Sequence, residues 1–151
     1  MLTASVESFM ENRAELELLF PKHWEELALN KDKVPLSPDW NRYKSVEDVG
    51  MLSFVALRQD GKLVGYFVGL ITPHLHYTTC ITYIMDMLFV DKEARGNNAG
   101  ILIMRTMEAE AKRRGVQRIV LNTKLHMDIS SLYKYMGFTQ VETIWSKWIG
   151  E

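Results

Sequence analysis

The sequence predicts an α/β (α+β) fold, a mixed and mostly antiparallel central sheet with helices on both faces. Three observations predict it. Two apolar runs flank the hairpin signal Gln59-Asp60-Gly61-Lys62. A third apolar run, Ile81 to Val90, stops at a turn of small residues and is followed by an amphipathic stretch of helical period. A further strand and helix follow in the same order, at Gln117–Leu121 and Ile129–Met136.

Residues 4–20 carry Val6, Phe9, Met10, Ala14, Leu16, Leu18, Leu19 and Phe20 among acidic and polar residues, which predicts a helix closed by Pro21. A shorter helix is expected over Lys22–Leu29, with Trp24, Leu27 and Ala28 turned inward. Asn30–Gly50 is polar, carries Pro35 and Pro38, and reads as an ordered loop with at most a short helical turn. Met51–Arg58 and Leu63–Thr72 are the hairpin strands, and Gly65 and Gly69 in the second imply bends or a close neighbour. Pro73–Tyr77 connects to the strand Cys80–Val90. In the helix Ala99–Arg114, Gly100, Ile103, Met104, Met107 and Ala111 share one face, and Gly115 suits its C-terminal end. Asp128 can cap the helix Ile129–Met136, and alternation over Val141–Ile149 predicts a closing strand with Trp145 and Trp148 on opposite faces, one buried and the other exposed or at a subunit contact.

With 151 residues, 47% hydrophobic and 25% charged, the chain suits one domain spanning 1–151 with its own core. No signal-peptide pattern and no membrane-length apolar run occurs, so a cytoplasmic location without membrane attachment is expected. The single Cys80 cannot form an internal disulfide and reads as a small apolar residue. Net charge is -1, but residues 91–118 hold seven Lys and Arg against four Asp and Glu. That local excess suits a polyanionic small molecule, whereas nucleic-acid binding would call for a broader basic face. Lys112, Arg113 and Arg114 equally suit a helix C-terminus.

The stretch Arg95-Gly96-Asn97-Asn98-Ala99-Gly100 joins strand to helix through residues that tolerate positive φ. The first amides of the helix have no partner inside it and carry the positive end of its dipole, which makes a natural phosphate cradle. Such turns often only connect elements. Here Arg-Gly-x-x-x-Gly follows Leu88-Phe89-Val90, and Leu132-Tyr133-Lys134-Tyr135-Met136-Gly137-Phe138 comes some thirty residues later. This combination resembles the GNAT superfamily of N-acetyltransferases, over roughly residues 50 to 140. The Pro-His-Leu-His-Tyr and Leu-His-Met-Asp segments are similar to those of GNAT-like proteins encoded by some tailed bacteriophages.

The resemblance implies acetyl-CoA as acyl donor and a small-molecule or peptide amine as acceptor. It implies a coenzyme arm on the backbone of Leu88, Phe89 and Val90, with an N–H near Leu88 stabilising the charge that develops on oxygen. It also implies a diphosphate on Arg95, Gly96, Asn97, Asn98, Ala99 and Gly100, and adds Asn122 to the coenzyme-binding set. Asn98 stands where the family usually has glycine; asparagine is the non-glycine residue best able to adopt left-handed backbone, although its side chain narrows the approach to phosphate.

Tyr133 falls where many members carry the acid that protonates the departing thiolate, and an amphipathic helix residue that only packs its ring is the alternative. Asp86 falls where relatives place a Glu acting as base, and would need a bridging water; an ion-paired strand residue is the alternative. His74, His76 and Tyr77 could line the acceptor pocket, as could Trp40 and Tyr43, though such aromatics also staple loops to cores. His74, His76, His126 and Asp128 lack the spacing of a zinc site, and no metal is expected. The competing reading is a non-catalytic protein of this fold that works through a protein partner. A Rossmann dinucleotide site is disfavoured, because the turn lacks the Gly-x-Gly-x-x-Gly spacing and comes late in the chain.

Overall fold

The computed structural model describes all 151 residues. Its elements are β1 (Leu2–Glu7), α1 (Arg13–Leu27), α2 (Trp40–Asp48), β2 (Leu52–Gln59), β3 (Lys62–His74), β4 (Tyr77–Val90), α3 (Ala99–Arg113), β5 (Arg118–Val120) and α4 (Ser130–Tyr135). One five-stranded sheet runs in the order β1-β2-β3-β4-β5. The first four strands are antiparallel and β5 is parallel to β4. One core cluster, built on Phe9, Leu16, Phe20, Phe54 and Tyr66, lies under α1 and α2. The other, built on Val55, Phe67, Tyr83, Ile103, Met104 and Met107, lies under α3 and α4. The mixed sheet with helices on both faces is the expected architecture. No helix is long and apolar enough to cross a membrane.

The N-terminal third departs from expectation. Residues 2–7 form an edge strand on β2, Leu2 opposite Gln59 and Glu7 opposite Phe54, where a helix over 4–20 was expected. The pattern of residues 2–7 also alternates, and pairing with a long neighbouring strand decides between two periods that a short segment cannot separate. Arg58 of β2 fixes the arrangement: Nη2 donates to Glu7 Oε2 at 2.8 Å, and Nη1 to Glu15 Oε1 of α1 at 3.0 Å. That guanidinium holds the Glu7 carboxyl down at about 2.

Pro21 lies inside α1 and does not end it. A proline in a helix interior costs about 3 kcal/mol, whereas the helix buries Leu16, Leu19 and Phe20, each contributing about 1.5–3 kcal/mol. Burial wins, so the two helices expected on either side of the proline are one. The expected loop before β2 contains α2, which Asp39 caps by accepting the Arg42 amide at 3.0 Å.

The β2–β3 hairpin forms as predicted, with Asp60 and Gly61 both at positive φ (51° and 87°). At Gly69 the close neighbour is a side chain: a Cβ there would lie 2.3 Å from the Tyr83 ring. The closing strand expected over Val141–Ile149 does not form, and Val141, Ile144 and Trp145 are exposed. The outermost strand, β5, has only three residues, and a segment with strand propensity but no ladder to join is not stable by itself. Both Trp145 and Trp148 stay at the surface, Trp148 beneath the Lys33 ammonium.

Candidate active site

The site is built on a fork. Strands β4 and β5 pair only from Thr82↔Arg118 to Ile84↔Val120, and beyond Ile84 the edge of β4 has no strand partner. At the same level β4 carries an extra residue. Val68 pairs with Met87 and Gly69 with Met85, leaving Asp86 unmatched as a bulge. The inserted residue reverses which face each side chain takes. Met85 packs on the α3/α4 side, whereas Met87 and Phe89 pack on the α1/α2 side.

Backbone alternation settles which groups open into the fork. The Asp91 amide donates to the Val64 carbonyl at 2.8 Å, so in an antiparallel ladder Phe89 and Met87 also aim their backbone groups at β3. Leu88 and Val90 aim theirs at the fork. Of the three expected arm-binding residues, Phe89 is therefore withdrawn, its backbone spent on the sheet. The Val90 carbonyl is also taken, by Arg95 Nε at 2.9 Å. Leu88 remains with both backbone groups open, in the region where the resemblance implies an oxyanion donor.

The turn before α3 holds Gly96, Asn97 and Asn98 at φ 83°, 47° and 61°, three consecutive left-handed residues. Asn98 adopts the conformation a glycine would supply. Within the expected cradle, the Arg95 amide donates to Lys92 O and the Ala99 amide to Gly96 O, so neither is available. The amides of Gly96, Asn97, Asn98, Gly100 and Ile101 have no acceptor within the chain, and Ile101 is an addition that the sequence motif did not include. The Arg95 guanidinium folds away, onto the Glu26 carboxylate of α1 and the face of Phe89. Lys22 reaches Asp91 Oδ2 at 2.6 Å and braces α1 against the same turn. No side chain plugs the bend at Gly96, around which a Cβ would meet nothing within 4 Å.

Tyr133 closes the inner end of the fork. Asp128 positions α4 by accepting the Ser130 amide at 2.9 Å. Tyr133 is 8% exposed, its hydroxyl donates to the Asn122 carbonyl at 2.7 Å, and Met85 Sδ lies 3.6 Å away. The phenol thus spans both prongs, beyond the last β4–β5 pair. Burial, helped by the Asp128 charge, pushes it above the ordinary tyrosine range, so it stays protonated.

On the opposite face of β4, Asp86 opens into a cleft of about 720 Å³. The sheet supplies its floor, α1 and α2 its walls, and residues 28–39 its rim. Asp86 is exposed there, and Tyr43 donates its hydroxyl to Asp86 Oδ2 at 2.7 Å. Burial and this carboxylate raise the Tyr43 phenol well above its usual value. His23 of α1 lines the same cleft, bonded to the Tyr66 hydroxyl at 2.7 Å and stacked on Phe89. Burial, with help from the Lys124 charge, lowers it to about 4.

A family model for the acetyltransferase (GNAT) family matches residues 13–138. The chain belongs to the GNAT acetyltransferase family. Among solved structures of this fold, a ribosomal-protein-alanine N-acetyltransferase from Brucella melitensis biovar Abortus 2308 is 17% identical, with a TM-score of 0.78 over 100% of this chain and 99% of that one. An aminoglycoside acetyltransferase from an uncultured soil metagenomic sample is 14% identical, with a TM-score of 0.76 over 99% of both chains. A predicted acetyltransferase with acetyl-CoA from Clostridium acetobutylicum is 15% identical, with a TM-score of 0.69 over 97% of this chain and 96% of that one. No curated protein matches the sequence significantly.

The GNAT motif residues thus converge on one fork, with Tyr133, Asn122, Leu88 and the 96–101 turn along it and Asp86 beside it. Other expected residues stand apart. Trp40 is packed against Phe20, with centroids 5.5 Å apart, beneath the Arg13 guanidinium, and does not line the cleft. His74, His76 and Tyr77 cluster at the β3–β4 hairpin tip. Tyr77 and Asp86 are nine positions apart along β4, about 30 Å of extended chain. His126 docks on the Glu26 carbonyl at 3.2 Å and covers an acceptor that the last turn of α1 leaves open. The pairing of Tyr43 with Asp86 was invisible in sequence, because it joins a helix the sequence does not announce to a strand 43 residues away.

Proposed function

We propose that the chain is an acyl-CoA dependent N-acetyltransferase that moves an acetyl group from acetyl-CoA to a primary amine by direct attack. The observation that carries this reading is that Asp86 and Tyr133 flank one point of the fork from opposite faces of β4. Acetyl-CoA, when bound, supplies an activated acetyl thioester. The residues fit it: a row of unpartnered amides at Gly96–Ile101 suits a diphosphate, and the open backbone of Leu88 suits an amide-bearing arm.

The chain's own groups then divide the proton work. An amine of pKa near 10.4 is neutral in only about one molecule in 2,500 at pH 7. Asp86, exposed in the cleft and held by Tyr43, takes that proton directly or through water. The Leu88 amide aims at the fork, where a carbonyl oxygen gains charge. Tyr133, buried and protonated, holds the proton required by the leaving sulfur.

Titration calorimetry with acetyl-CoA, followed by a thiol-release assay across an amine panel, tests this. Binding heat and amine-dependent thiol release are expected. No heat and no thermal stabilisation at millimolar ligand would favour instead a non-catalytic protein acting through a partner.

A further inference from the structure

The walls of the cleft above Asp86 are unlike those needed for a sugar or a polyamine. Trp24, Leu27, Leu29, Leu36, Leu70 and Met87 line it. Leu29 and Leu36, on its rim, are 52% and 40% exposed, so large apolar side chains stand open to water there. Only two carboxylates face the space, and Asp39 is engaged in capping α2. Asp86 is the acid left for a substrate. Two cations face the same space, Arg42 from α2 and Lys124 from the loop after β5, and neither forms a salt bridge.

We infer that the acceptor is a primary amine on an apolar body with no second positive charge, its ammonium directed to Asp86 and its body along Trp24, Leu36 and Met87. This inference rests on the acetyltransferase reading above and deepens it by naming the acceptor class. A single ammonium finds a single available carboxylate. A second one would meet apolar walls that cannot solvate it or the unpaired Arg42 and Lys124, which repel it. The apolar body covers the open leucines, the term that converts a general amine site into a selective one. His23, buried and neutral, contributes no charge on either side of the balance.

The test uses the full chain with acetyl-CoA and measures kcat/KM by thiol release for phenethylamine and leucinamide against spermidine and kanamycin. The apolar monoamines are expected to exceed the polycations by about tenfold or more. Lys124→Glu, an exposed loop substitution, is expected to narrow the gap between phenethylamine and spermidine, and Leu36→Asp to raise KM for phenethylamine. Equal or faster turnover of spermidine or kanamycin, or ratios unmoved by Lys124→Glu, overturns the acceptor class and leaves the transferase reading standing. Phenethylamine binding by calorimetry without thiol release upholds the cleft and overturns the transferase reading. Neither binding nor release overturns both.

Discussion

Gly100, at the second position of α3, lies directly beneath Leu132 of α4: a Cβ on Gly100 would sit 2.8 Å from Leu132 Cδ2. The two helices therefore approach as closely as they do because this residue has no side chain. Since α3 begins at the amide cradle and α4 carries Tyr133, the contact sets the spacing between diphosphate site and phenol. A bulky side chain would act through this contact rather than by filling the turn. Gly100→Leu is expected to lower stability by about 1–3 kcal/mol, read in urea denaturation, with Gly100→Ala much milder because the Leu132 tip can move. Adding Leu132→Ala should recover part of the loss, and strict additivity would show that the two residues do not interact.

Tyr133→Phe removes the proton donor and the bond to the Asn122 carbonyl. Turnover is expected to fall about 10²–10⁴-fold, with acetyl-CoA affinity by calorimetry nearly unchanged and stability lower by about 1 kcal/mol. Equal losses in turnover and affinity would assign Tyr133 to packing alone.

How far these residues could be read from sequence depends on the range of the interaction. The β2–β3 hairpin, the α3 stripe and the 95–100 turn are local patterns, each set by residues a few positions apart, and each forms where expected. The availability of each amide in that turn was not local. It required knowing that Arg95 and Ala99 are spent inside the turn and that Phe89 faces β3. The strand at 2–7, the helix continuing through Pro21 and the Tyr43–Asp86 pair are all decided by distant partners. The alternation at 141–149 had no partner strand to make it a strand.

Asp86→Asn keeps an oxygen to accept the Tyr43 hydroxyl while removing the base. Folding stability should therefore hardly change, whereas kcat/KM is expected to drop about 10²–10⁴-fold. A fall in the urea midpoint as large as that of a core substitution would instead make Asp86 a structural residue.

His23 gives a pH dependence whose sign follows from burial. Its folded value of about 4 lies below the ordinary 6.5, so the unfolded chain binds its proton first as pH falls. The contribution is constant above pH 6.5 and is lost between 6.5 and 4. Going from pH 7.5 to 4.5 is expected to cost about 2–3 kcal/mol through this residue. His23→Gln, which can still bond the Tyr66 hydroxyl, should flatten the urea midpoint over that window. Parallel pH curves for the two proteins would locate the acid sensitivity elsewhere.

The bulge in β4 makes residue count at that point as consequential as residue type. Exchanging Asp86 for another amino acid changes one functional group. Omitting it would restore regular pairing, with Met85 opposite Gly69 and Met87 opposite Val68, so Met87, Leu88 and Phe89 would keep their present faces while the carboxylate and the kink of the open edge were lost together.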